Sequence, residues 1–150
     1  MYGKKVTCKG TNCTIMYTNI KSNDWKRIKQ IANMMSLAEV GPTLISVNNT
    51  THTLITERIR MPQNPDEEMD LDMVKETTSR FHRLGLIHGD LNFANMGLRD
   101  DGTVIIIDYD WIHIANHPPN GFMTFIKDTY DDISSYDEYL VYELTDMGWA

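Results

Sequence analysis

A chain of 150 residues with 41% hydrophobic side chains has room for one domain, or for two small lobes sharing a cleft, and carries enough apolar material for a core. No apolar run approaches the ~20 residues of a membrane-spanning helix, and the opening MYGKKVTCKG lacks the apolar segment of a secretory signal, so a cytoplasmic protein is expected, or one of the host-cell cytosol if it is viral or an effector. Net charge is −7 but unevenly spread: residues 1–30 hold Lys4, Lys5, Lys9, Lys21, Lys26, Arg27 and Lys29 against Asp24 alone, a net +6, which leaves −13 on the rest. Such asymmetry suits a surface that meets phosphate or an acidic partner; the aromatic interleaving of a nucleic-acid module is missing.

In chain order, residues 4–21 read as a β-hairpin, with Lys5-Val6-Thr7-Cys8 and Thr14-Ile15-Met16-Tyr17-Thr18 flanking the turn-forming Lys9-Gly10-Thr11-Asn12. Cys8 and Cys13 are the only cysteines and, without an export signal, two reduced thiols are expected. Ser22 or Asn23 caps a helix with Asp24 in its first turn and Trp25, Ile28, Ile31, Ala32 and Met35 on one face. Gly41-Pro42 ends that region; 43–47 reads as a strand, 48–51 as a turn, and 52–57 as the returning strand. Residues 61–70, with Pro62, Pro65 and four acids, read as a linker. A helix over 71–84 follows, with Val74, Thr78, Phe81 and Leu84 or Leu86 on its buried side.

That helix runs into a polar loop carrying His88, Asp90 and Asn95, then a hairpin turning at Asp100-Asp101-Gly102, whose uncharged second arm, 103–107, delivers Asp108 at its exit. Two carboxylates and a carboxamide brought to one edge form a metal–phosphate constellation. A metal-dependent hydrolase using His88, Asp90, Asp108 and His113 or His117 is a rival, but those histidines lack ligand spacing. Beyond Asp110 the chain reads as loop through 117–121, and Ser134 or Ser135 caps a last helix over 135–146.

Position by position, His88-Gly89-Asp90-Leu91, Asn95 five residues after the aspartate, and Ile107-Asp108-Tyr109-Asp110 resemble the catalytic core of the protein-kinase-like superfamily. The His-Gly-Asp spelling, with Asn92 where Ser/Thr kinases usually have lysine, is more similar to the RIO, aminoglycoside-phosphotransferase and small atypical kinase branches. The resemblance implies an α+β fold with a reduced N-lobe over 1–61, a small antiparallel sheet plus one helix, and a truncated, mainly helical C-lobe over 62–150. It implies a minimal ATP- and Mg²⁺-dependent phosphotransferase acting on a protein or on itself. Asp90 would orient the acceptor hydroxyl, and Asn95 and Asp108 would hold Mg²⁺. His88 would brace the loop, and Asp110, in place of the family's glycine, would be a solvated acid or a spare ligand. The stretch Glu57-Arg58-Ile59 resembles the hinge that holds adenine by its backbone.

The sequence departs from that family at several places. The Gly-rich loop is missing, unless Tyr2-Gly3-Lys4 is the remnant of its end. The strand that should carry the phosphate-binding lysine has none; Lys21 is the nearest substitute, and Lys4 or Lys5 could also reach a phosphate. Gln30 stands for the glutamate that pairs with that lysine. With 42 residues after Asp108, the large helical subdomain does not fit, although helix 135–146, anchored by Asp131 or Asp132, could support the catalytic loop. Trp111, Phe122, Phe125 and Trp149 are then candidates for an apolar surface masked by a partner. These losses define the alternative, a pseudokinase or kinase mimic that works as an interaction module. Expected partners are a nucleotide and a protein, with no membrane.

Overall fold

The computed structural model describes residues 3–122, together with 124, 125 and 128. Strands β1 (Gly3–Lys9) and β2 (Asn12–Thr18) form an antiparallel hairpin whose turn passes through Gly10 at φ 62°, a left-handed conformation suited to glycine. The register sets Cys8 directly opposite Cys13, Cα atoms 4.1 Å apart, and the two are joined in a disulfide. The expectation of two reduced thiols is thereby corrected: cross-strand pairing, which a compartment argument does not consider, brings the sulfurs together.

Strand β4 (Thr53–Glu57) pairs with β2, and β3 (Leu44–Asn48) pairs with β4, giving an antiparallel sheet in the order β1-β2-β4-β3. Helix α1 (Ser22–Leu37) buries Trp25, Ile28, Ile31, Ala32 and Met35, the stripe that a 3.6-residue period demands. Lys21 is its N-cap residue and makes no side-chain capping bond.

The stretch read as a linker contains a short helix, α2 (Pro65–Glu68), with proline at its start, where a missing N–H costs nothing. Helix α3 (Leu71–Arg83) is capped by Asp70, whose carboxylate accepts from the Asp72 N–H at 2.8 Å, and it buries Val74, Thr77, Thr78 and Phe81. Three short elements then shape the catalytic region. Strand β5 (Leu86–Ile87) pairs with β8 (His113–Ile114), a single 3₁₀ turn spans Phe93–Asn95, and β6 (Met96–Leu98) forms a hairpin with β7 (Val104–Ile106). Strand β8 lies in a region expected to be loop, because two residues are too few to show alternation. The expected helix over 135–146, with Asp131, Asp132 and Trp149, lies outside the described residues.

One buried cluster runs through both halves, from Tyr17, Ile31, Met35 and Leu54 to Phe81, Leu86, Leu91, Met96, Ile106 and Tyr109. Main-chain bonds cross the same boundary: Ile106 N–H to Val40 O and Leu98 N–H to Arg60 O, both 2.8 Å. Gly97 makes this approach feasible, since a Cβ there would lie 2.2 Å from Ile59 Cγ2 and 3.0 Å from Arg60 O. Overpacking of this kind costs about 1–3 kcal/mol, so Gly97→Ala should lower the urea midpoint accordingly; an unchanged midpoint would mean that the two segments are not in contact.

An ion pair reinforces the seam. Glu57 Oε1 accepts from Arg99 Nε at 3.1 Å, from Arg99 Nη2 at 2.5 Å and from Thr43 N–H at 2.8 Å. Burial pushes the Glu57 carboxyl up, but the Arg99 and Thr43 hydrogen bonds and the Arg99 charge together hold it below its ordinary value. A depressed native pKa stabilises the fold above the unfolded value near ~4.3 and is lost as pH falls through the native value. Glu57→Gln should therefore cost about 0.5–1 kcal/mol at neutral pH and remove part of the acid-side loss, read from melting curves between pH 3 and 7.

Candidate active site

The loop after β5 is organised by His88, which is 2% exposed. Its Nε2 lies 2.8 Å from Ile107 O, which can only accept, and its Nδ1 lies 3.3 Å from the Asp90 N–H, which can only donate. The ring thereby ties the loop to the strand that delivers Asp108. Gly89 sits at φ 89°, and a Cβ there would come within 2.9 Å of Phe122 Cε1 and Trp111 Cβ.

Asn92 caps the 3₁₀ turn, its Oδ1 accepting from Ala94 N–H at 2.9 Å, while its Nδ2 donates to Asp90 O at 3.2 Å. Asn95 Nδ2 donates to Asp90 O at 2.7 Å and lies 3.4 Å from Asp90 Oδ2. A carboxamide that donates to Asp90 turns its own oxygen away from that residue, as a ligand oxygen must be turned. Asn95 O accepts from Ile107 N–H at 2.9 Å, which registers the asparagine against Asp108 one residue on. Asp108 has φ 76°, and its Oδ1 accepts from the Asp110 N–H at 3.3 Å. His88, Asp90, Asp108, Asp110 and Trp111 line one cavity of about 220 Å³.

Two residues that sequence reasoning did not assign to the site hold the Asp108 loop. Arg27, on α1, donates to Tyr109 O at 3.2 Å, Ile112 O at 2.6 Å and Asp110 O at 3.0 Å, and it pairs with Asp24 at 3.3 Å. Gln30, expected to take the helix glutamate's place, is exposed. Tyr17, on β2, packs edge-on against Tyr109 with ring centroids 5.6 Å apart and is hydrogen-bonded to Thr56. Burial pushes the Tyr17 hydroxyl up to about 12, the Thr56 bond offsets part of this and the Asp108 charge adds to it, so it stays neutral at ordinary pH. Nothing local in the sequence marks Arg27 for this loop, since its three carbonyl partners lie more than eighty residues away. Tyr17 had a signal, being one of the positions in the strand where a lysine was sought.

The remaining expected residues fall elsewhere. Lys21 is exposed at the start of α1 and does not line the cavity of Asp90 and Asp108. Glu57 and Ile59 border a separate cavity of about 920 Å³, with Arg58, Arg60 and Arg99, which none of Asp90, Asn95 and Asp108 lines. His113, the rival hydrolase's candidate, is buried in β8 with its Nδ1 2.6 Å from Trp111 O. Among the described residues no group of three or more His, Cys, Asp or Glu could hold a metal ion. The donor set here is carboxylate and carboxamide oxygen, which fits Mg²⁺, an ion that takes one or two carboxylates and completes its shell with phosphate and water.

The RIO domain family model matches residues 21–136. The chain belongs to the RIO family. A curated relative of this RIO domain is the serine/threonine-protein kinase rio2 of Schizosaccharomyces pombe, 30% identical over 117 residues, which cover 69% of this chain and 34% of the yeast protein. The chain thus matches about a third of that relative's length. Among solved structures, Cex1p superposes on 90% of this chain and 29% of its own chain with a TM-score of 0.53 at 12% identity. WbdD bound to a kinase inhibitor covers 98% and 40% at a TM-score of 0.48 and 12% identity. The protein-kinase-like α+β fold expected from the catalytic motifs is therefore the fold of this chain, and its family is an atypical kinase family.

Proposed function

We propose that this RIO domain is an ATP- and Mg²⁺-dependent phosphotransferase that moves the γ-phosphoryl group to a hydroxyl of a protein, itself or another. The observation that carries the reading is the Asp90–Asn95 hydrogen bond beside Asp108 on a cavity that Asp90 and Asp108 share. Asp90 receives the proton of the attacking hydroxyl as the acceptor oxygen bonds to phosphorus and the bond to the β-phosphate oxygen breaks. Asn95 Oδ1 and Asp108 hold Mg²⁺, which when bound offsets the charge of the phosphates. The backbone of Glu57 to Ile59 takes the adenine, and a lysine meets the phosphates, Lys21 being the one that sequence order alone suggests. Residues 1–61 and 62–150 act as the two lobes between which nucleotide enters. Cytoplasmic residence belongs to the same reading; no described helix is long and apolar enough to cross a membrane.

The test is transfer from labelled ATP, with Mg²⁺ or with EDTA, alone and with generic protein acceptors, beside Asp90→Asn. Magnesium-dependent incorporation that Asp90→Asn loses is the expected result. Equal, background-level labelling of both proteins would end the enzyme reading. One observation favours a second reading, a kinase mimic that binds a protein partner: on β2, where a cation was expected, neutral Tyr17 packs against Tyr109 beside Asp108. A mimic would show neither labelling nor a Mg·ATP-dependent rise in melting temperature.

A further inference from the structure

The β1–β2 register leads to a cation that sequence order does not single out. Opposed residues of an antiparallel pair project to the same face, about 5 Å apart, and neighbours along a strand alternate. Lys4 is paired with Tyr17, Val6 with Ile15 and Cys8 with Cys13, whereas Lys5 is paired with Met16 and Lys9 with Asn12. Tyr17 is on the face that meets Tyr109 and the Asp108 loop. Of the three lysines on β1, Lys4 alone shares that face, and its Nζ stands 5.8 Å from the Tyr17 ring centroid. Lys4 is also exposed, so a solvent-borne phosphate can reach it.

The same register gives the face a direction. On β2, Thr14 is opposite Glu57 and Ile15 opposite Thr56, so the end carrying Val6 and Ile15 lies towards the hinge stretch. Val6 is 43% exposed there, and with Ile15 it offers an apolar cover to a planar base. Two residues along, Lys4 and Tyr17 lie at the end that faces Asp108. Apolar cover, cation and metal-binding carboxylate thus follow one another as base, α/β-phosphates and metal do in a nucleotide.

We propose that Lys4, moved one strand across from the family's usual position and displaced there by Tyr17, is the residue that holds the α/β-phosphates of ATP. This rests on the phosphotransferase reading above and names the cation that reading leaves to sequence order. The two tyrosines fill the buried space with ring contacts, and the Lys4 ammonium stands beside Tyr17 on the exposed side of that pair.

Isothermal titration of the full chain with Mg·ATP and, separately, with adenosine tests it, using wild type, Lys4→Ala, Lys4→Arg, Lys5→Ala and Lys21→Ala. Loss of a charge-assisted hydrogen bond should weaken ATP about 10- to 100-fold in Lys4→Ala while adenosine changes less than about twofold. Lys4→Arg should retain most of the ATP affinity, and Lys5→Ala should match wild type. The proposal falls if Lys4→Ala binds ATP normally, if it loses ATP and adenosine equally, or if Lys21→Ala carries the loss instead. Wild type that binds neither ligand sinks the phosphotransferase reading and this inference together; wild type that binds ATP while Lys4→Ala matches it sinks this inference alone.

Discussion

Asp90→Asn is expected to lower phosphoryl-transfer turnover about 10²- to 10⁴-fold, the usual contribution of a positioned general base, with Mg·ATP affinity within about twofold of wild type. The two effects separate because Asp90 and Asp108 have different duties at one cavity. Asp90's backbone oxygen, not its carboxylate, accepts the short 2.7 Å bond from Asn95, and that bond survives the substitution. Of the carboxylate contacts to Asn92 and Asn95, both 3.4 Å and each to a different oxygen, an amide oxygen keeps one, and the one lost is long and weak. Asp108→Asn should behave in the opposite sense. Removing a charged metal ligand while keeping its shape weakens Mg·ATP binding itself, so its loss should appear in the titration before any transfer is measured. Initial rates against ATP concentration, with titration of both variants, provide the check. Equal loss of affinity in both variants would show that Asp90 is a ligand and not the base.

Arg27→Met carries the largest expected effect on stability. The guanidinium satisfies three main-chain carbonyls at once, those of Tyr109, Asp110 and Ile112, from a side chain only 17% exposed. Hydrogen bonds to a charged group contribute roughly 1.5–3 kcal/mol each, and buried acceptors left unpaired retain their desolvation cost, but shared partners make the terms non-additive, so a loss of about 3 kcal/mol is expected. Urea unfolding followed by tryptophan fluorescence reads it directly. Arg27→Lys should recover little, because one ammonium cannot span a fork of three carbonyls. Mg·ATP affinity should fall with the stability, since the carbonyls follow Asp108 by one to four residues. A variant that unfolds like wild type would mean the clamp contributes nothing.

What the sequence revealed, and what it hid, follows from the range of each interaction. The buried stripe of α1 from Trp25 to Met35 was legible because helical periodicity is local, and the His88–Asp110 constellation because its spacing is. Pairing of Leu86–Ile87 with His113–Ile114 was not legible, since two residues cannot display alternation. Arg27 was hidden for a different reason. The partners that place it at the Asp108 loop are carbonyls, which every residue has, so no side-chain pattern announces them, and Gln30, three residues along, faces solvent. The disulfide shows the limit of a compartment argument, because the hairpin's own register already opposes Cys8 and Cys13.

The placing of that disulfide also determines which part of the sheet breathes. Among the described residues strand β1 is an edge strand, bonded to β2 alone, and a covalent staple closes it near the turn at Cys8 and Cys13. Opening must then begin at the Gly3 end, where Lys4 is paired with Tyr17. Amide exchange along β1 should accordingly be graded, quickest beside Lys4 and slowest beside Cys8. A nucleotide gripped by Lys4 would close the one end that the staple leaves loose, so exchange at Lys4 and Lys5 becomes a clock for its residence.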